Sequence, residues 1–203
     1  MKDEKETKEQ LLLCAKKEFL GKGYIKASLR NICRNAGFTT GALYFFFKDK
    51  EDLFAALVKK PLDDLYNLMM KHYNDEIELI HKGIIKKDDY LDDFEAARQV
   101  VHYMYQHHDE CELILTKSQG SCFENSIDKF VSITEKHYYK LITDKIVQRG
   151  NAPEVDNYII HWVAHMNINV FVHLITHETS EEEALKHTNI IIKYLISGWN
   201  GML

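Results

Sequence analysis

Apolar residues recur three to four positions apart along most of this chain, the spacing of helices that bury one face. Over residues 7–20 they are Leu11, Leu12, Ala15, Phe19 and Leu20, behind a charged and fraying leader, Met1 to Gln10. Gly21 and Gly23 end that helix. Ser28 then caps a second one, whose inward positions are Leu29, Ile32, Cys33 and Ala36, and Gly37 stops it. Thr39 caps a third with Leu43, Phe46 and Phe47 inward. A fourth opens at Asp49, runs through Leu53 and Leu57, and is expected to kink or divide at Pro61 before continuing to about Tyr73. Further helices are read over 88–106, 110–116 and 122–148, with Gly150 to Pro153 closing the last. Residues 157–176 are apolar almost all round, which a helix tolerates only when covered on both sides. Ser180 and Glu183 form a capping box for a final helix over 181–200. The fold class is therefore all-α, with about nine helices.

The third of these helices is unusual on its outer side. Thr40, Gly41, Tyr44 and Phe45 are small, hydroxyl-bearing or aromatic where an ordinary surface helix carries charge. With Phe38 plugging the corner after Gly37, residues 28–47 read as a helix-turn-helix, whose second helix can enter the major groove of DNA.

The stretch from Leu11 to Leu57 resembles the DNA-binding domain of the TetR family of bacterial transcriptional repressors. The resemblance rests on Gly21-Lys22-Gly23-Tyr24, Ala36-Gly37-Phe38, Gly41-Ala42-Leu43-Tyr44, and Phe47 followed by Lys48-Asp49-Lys50-Glu51. It departs from the family at Phe45 and Phe46, where members often carry His, Tyr or Trp. The resemblance implies a three-helix head, residues 1–50, and a larger C-terminal helical ligand-binding and dimerisation domain, residues 51–203. It implies that Ser28, Thr39, Thr40, Gly41, Tyr44, Phe45, Lys48 and Lys50 meet DNA. It further implies a homodimer through helices about 157–176 and 181–200, a double-stranded inverted-repeat operator, and a small-molecule effector of unknown identity.

Charge fits that division. Residues 1–60 hold thirteen Lys and Arg against eight Asp and Glu, a net +5, and residues 61–203 hold thirteen against twenty-three, a net −10, for the overall −5. A basic end on an acidic body orients approach to phosphates. No run of side chains reads as a membrane span or signal peptide, so a cytoplasmic protein with no membrane partner is expected. Cys14, Cys33, Cys111 and Cys122 lack metal or redox spacing and read as reduced thiols.

Catalytic and metal chemistry finds little support. His161, His165, His173 and His177 step by four, but each step drifts about 40° on a helix, so the four cannot share one site. HExxH, a Gly-rich phosphate loop, GxSxG and paired carboxylates are lacking, and the reading is no enzyme, no cofactor and no metal. The alternative is a helical metalloprotein or small enzyme using the His-rich helix 157–177; a repressor answering to a partner protein is a third option. Phe94, His102, Tyr105, Phe123, Tyr138, His165 and Asn169 are the candidate effector-pocket residues.

Overall fold

The computed structural model describes residues 4–83, 91–149 and 155–202. Among these it holds nine α-helices: α1 Glu4–Lys26, α2 Leu29–Ala36, α3 Thr40–Phe46, α4 Lys50–His81, α5 Leu91–Gln106, α6 His108–Thr116, α7 Ser126–Arg149, α8 Asn157–His177 and α9 Glu181–Met202. The all-α reading holds. Residues 88–90 and the expected stop at 150–153 lie outside the described residues.

Several boundaries move. The expected leader is already helical from Glu4, and Thr7 is buried, so the helix is anchored about one turn earlier than its apolar pattern suggests. The expected stop at Gly21–Gly23 is instead a break inside α1, where Gly23 takes φ 71° and ψ 167° and the helix resumes to Lys26. Pro61 neither ends nor divides α4. It removes one N–H donor, but the buried face continues across it through Val58, Pro61, Leu62 and Leu65, and packing carries the helix on to His81.

Contacts divide the chain into two compact units. The first comprises Met1–Asp64 with His107–Ser126, the second Leu65–Gln106 with Ile127–Leu203. In the first, Leu11, Ala15, Phe19, Ile32, Leu43, Leu53 and Phe54 are sealed from solvent. Phe19 meets Phe54 edge-on at 4.9 Å, and Phe123 tilts onto Phe54 at 6.0 Å. The α6 segment is part of this core: Lys16 pairs with Glu110 at 2.5 Å, and Tyr24 N–H donates to the Lys117 carbonyl at 2.8 Å.

In the second unit Val101 of α5, Leu174 of α8 and Ala184 of α9 form one cluster, with Tyr105, Val170, Phe171, Leu185 and Ile191 around it. Ile77, Ile80 and Leu141 form another, against Tyr138. The helix α8 is long and apolar enough, by length and composition alone, to cross a membrane. It carries His161, His165, Asn167, Asn169 and His173, and one side of it packs on α5 and α9.

Candidate nucleic-acid interface

Local chemistry fixes the pose of α3. Ser28 Oγ accepts from the Asn31 N–H at the start of α2. At its end Gly37 takes φ 75°, a left-handed turn that costs a glycine nothing, and Phe38 N–H returns to the Cys33 carbonyl at 2.9 Å. Thr39 Oγ1 accepts from Ala42 N–H at 3.2 Å and starts α3. Leu43 and Phe47 then point inward and are sealed, Phe46 is half-buried, and the opposite face is open. Thr39, Thr40 and Gly41 are exposed there, Tyr44 is 56% exposed and Phe45 70%. Two large exposed aromatics beside two threonines leave a hydroxyl-bearing, stackable surface aimed away from the protein's own core.

The residues flanking α3 divide into exposed and engaged. Lys48 is exposed, its N–H held by Asp52 Oδ2 at 3.0 Å, while Asp52 N–H donates to Asp49 Oδ1 at 2.8 Å and caps α4 as the pattern predicts. Lys50 is half-buried: its Nζ donates to the Ile25 carbonyl at 3.1 Å and sits 4.7 Å from the centre of the Tyr24 ring. Burial lowers its pKa, against the raising influence of Glu18 and Glu51. Ser28 spends its N–H on Glu18 Oε1 at 3.1 Å, leaving the hydroxyl as the cap.

Two carboxylates to which the sequence pattern assigns no role, Glu18 and Glu51, hold this arrangement. Glu18 is buried and accepts from Ser28 N–H, Asn31 Nδ2 at 3.4 Å and Lys22 Nζ at 2.8 Å. Burial alone would raise its pKa, but these donors outweigh it and hold the carboxyl below its ordinary value. Glu51 accepts from Tyr24 Oη at 2.6 Å and from Cys122 N–H at 2.9 Å. Burial and the facing Glu51 charge push the Cys122 thiol up to about 11, so this exposed cysteine stays a thiol.

The pattern of Leu11 to Leu57 has counterparts. A family model described as bacterial regulatory proteins, tetR family, matches residues 7–57. Over residues 7–57, then, the chain matches the N-terminal segment of that family. The HTH-type transcriptional repressor BepR of Brucella suis biovar 1 (strain 1330) is 43% identical over 53 residues, 26% of this chain and 25% of BepR. An HTH-type transcriptional regulator of Staphylococcus aureus (strain USA300) is 30% identical over 105 residues, 52% of this chain and 49% of the relative. The matches thus span a quarter and about half of these relatives' own lengths. A solved transcriptional regulator (TerR/AcrR family) from Aquifex aeolicus VF5 superposes with a TM-score of 0.61 at 18% identity, covering 93% of this chain and 99% of that one, a likeness of fold.

The pocket candidates are distributed over both units. Phe123 belongs to the first unit, on Phe54. His102 is exposed, paired with Glu181 at 2.6 Å, and Asn169 is exposed. Phe94, Tyr105, Tyr138 and His165 are half-buried in the second unit. Tyr105 Oη donates to the Glu178 carbonyl at 3.0 Å. Around Tyr138 the structure adds two residues that periodicity treats as plain core. Asn167 Nδ2 donates to Tyr138 Oη, and Trp199 lies 4.4 Å from the Tyr138 ring centre; Asn167 Oδ1 and Trp199 Nε1 are buried without a partner. On the His-rich α8, rings meet only in pairs: His161 with His165 at 4.5 Å, and His173 with His177 at 4.1 Å. Three candidate metal donors converge elsewhere, at His72, Glu76 and Asp93.

Proposed function

We propose that this chain is a TetR-family transcriptional repressor that binds an inverted-repeat operator as a homodimer and leaves it when a small molecule binds. The observation that carries the reading is the open face of α3, with Thr40, Gly41, Tyr44 and Phe45 outward on a helix capped at Thr39. In this reading residues 1–50 are the DNA-binding head and 51–203 the effector-binding and dimerisation body. Thr39, Thr40, Gly41, Tyr44 and Phe45 approach base edges and sugar, while Lys48 meets phosphate. Lys50 reaches the same backbone from its seat on Tyr24, and Ser28 sets the start of α2 beside it.

Dimerisation is supported by the outer faces of α8 and α9, where Tyr158, Trp162, Ile190 and Tyr194 are large, apolar and more than half exposed. An isologous pair through them gives two copies of α3, and operator half-sites about 34 Å apart. For the effector, the paired absence of partners at Asn167 Oδ1 and Trp199 Nε1 beside Tyr138 supports a polar ligand that accepts from Trp199 and bonds the Asn167 amide. Turning the Asn167 amide over leaves its other end unpaired instead, so the site lacks a partner either way. A ligand preferring the DNA-incompetent form a hundredfold supplies about 2.7 kcal/mol of coupling.

The test is a binding titration of the purified chain on the duplex upstream of its own gene, at several salt concentrations. Saturable binding that steepens as salt falls, with a two-fold symmetric footprint, is the expected result. Affinity no greater than for unrelated duplex at low salt would overturn the reading.

A further inference from the structure

The geometry points to a divalent transition-metal site in the helical body, built by His72 and Glu76 of α4 and Asp93 of α5, with His137 of α7 holding Glu76 in place. All four residues lie in the second compact unit, and the inference stands independently of the DNA-binding reading. His72 and Glu76 are four apart on α4 and so share a face one turn from each other. Asp93 comes from the first turn of α5. One donor atom from each, the His72 imidazole nitrogen and two carboxylate oxygens, lies within 4.8 Å of the other two.

The separations suit coordination. His72 Nε2 and Asp93 Oδ1 are 3.2 Å apart, at the upper end of hydrogen-bond distances, in a pairing that an ion seated between them would replace. Two ligands each about 2.0–2.1 Å from a tetrahedral ion sit about 3.3 Å from one another. Glu76 completes three protein ligands by a carboxylate swing of about 1.5 Å at most, leaving a fourth position for water. Charge also balances, since two carboxylates and a neutral imidazole offset a dication.

His137 supplies the support such a site requires. Its imidazole is buried, its side chain 5% exposed, and Nε2 lies 2.8 Å from Glu76 Oε2, which as a carboxylate can only accept. The N–H therefore sits on Nε2, holding one Glu76 oxygen and turning the other to the metal. The ring is itself fixed by stacking on Tyr73 at 3.9 Å and 3°, and Tyr73 Oη bonds Thr134 Oγ1 at 2.9 Å. A chain of aromatic stacking and hydrogen bonds thus aims one carboxylate. One nitrogen and two oxygens suit Zn²⁺ and its first-row neighbours rather than a thiolate-seeking ion.

The experiment is equilibrium dialysis of the full chain against Zn²⁺ with metal analysis, followed by competition with a chromophoric chelator. One saturable ion per chain is expected in the unchanged protein. Asp93→Asn and His72→Gln should abolish that binding. His137→Phe, which keeps the stack on Tyr73 but lacks the N–H, should weaken it about 10- to 100-fold, and His137→Gln, which restores a donor, should recover part of the loss. The pair His173→Gln and His177→Gln on α8, both exposed, should leave binding unchanged, and far-UV circular dichroism of each site variant separates loss of a ligand from loss of the fold. No saturable Zn²⁺ binding, full binding by Asp93→Asn and His72→Gln, or loss of binding in the α8 double variant would overturn the assignment.

Discussion

Removing the Glu18 carboxylate tests how α2 and α3 are held. Glu18→Ala leaves the Ser28 N–H, now 3.1 Å from Oε1, facing a buried void, and frees the Asn31 amide at 3.4 Å. A charge-assisted bond to a half-buried backbone donor is worth about 1.5–3 kcal/mol, and the longer Asn31 contact adds less. The Lys22 pair adds little, because the lysine is 46% exposed and screened. The expected loss is about 2–3 kcal/mol, a large share of the 5–15 kcal/mol typical of a whole domain. Urea unfolding followed by far-UV circular dichroism, at a slope of about 2 kcal/mol/M, should show a midpoint lowered by about 1 M or more. Amide exchange at Ser28 and Asn31 should accelerate with it. Sign follows from linkage: the folded carboxyl lies below its ordinary value of 4.5, so its stabilisation is complete above that value and is lost as pH falls through the folded pKa. The stability difference between the unchanged protein and Glu18→Gln, which keeps an acceptor but cannot titrate, should therefore shrink in acid. A Glu18→Ala midpoint within error of the parent, or a difference that stays flat from about pH 7 to about pH 3, would refute the role given to this residue.

Operator titrations should separate the two lysines after α3. Lys48→Ala and Lys50→Ala each weaken all sequences alike and lower the salt slope by about 1, but only Lys50→Ala also costs about 1 kcal/mol of stability, through its lost tie to Ile25 and Tyr24. Thr40→Ala should instead change the ranking of operator variants, read in a competition assay. Ile190→Glu, at a site 67% exposed on α9, should yield a monomer by light scattering and weaken operator binding with its fold intact. Gly120 takes φ 83°, and a β-carbon there would stand 2.5 Å from Ile25 Cγ1, so Gly120→Ala should cost about 2 kcal/mol in a thermal melt. Adding Ile25→Ala should return the steric part of that loss and leave the conformational part.

What the sequence made legible was local. Ser28, Thr39 and Asp49 cap helices because their side chains reach donors three residues on, and Gly37 turns because its conformation is its own property. Leu43 and Phe47 fall inward by helical period alone. The rest depends on partners far along the chain. Lys50 turns onto Ile25, 25 residues back, and Glu51 receives Cys122, 71 residues on, and neither pairing has a periodic signature. Phe123 looks like any inward aromatic of a long helix, yet residues 122–125 precede α7 and Phe123 joins the Phe54 core instead. The His72, Glu76 and Asp93 grouping has no such signature, whereas the regular histidine steps of α8 stand out in sequence without bringing four rings together. Donors gathered from two helices and steadied by a third leave only the His72–Glu76 step of four as a trace in sequence.

The segment from His107 to Ser126 changes how α2 and α3 should be understood. Those helices are short: α2 has 8 residues and α3 has 7, too few to hold a pose on their own hydrogen bonds. Their pose follows from α1 and from the turn after Gly23, and that turn is gripped from the 107–126 side. Lys117 takes the Tyr24 N–H, Cys122 N–H binds the Glu51 carboxylate that also takes the Tyr24 hydroxyl, and Gly120 lies against Ile25. Glu18 then fixes Ser28, Ser28 starts α2, and Gly37 passes that orientation to α3. A shift of residues 117–122 by even the length of one hydrogen bond must therefore break the Tyr24 contact, loosen the Lys50 seat on the same ring, and release the turn that sets α2. The open face of α3 thus depends on a stretch of chain some seventy residues beyond it, through contacts wholly inside one compact unit.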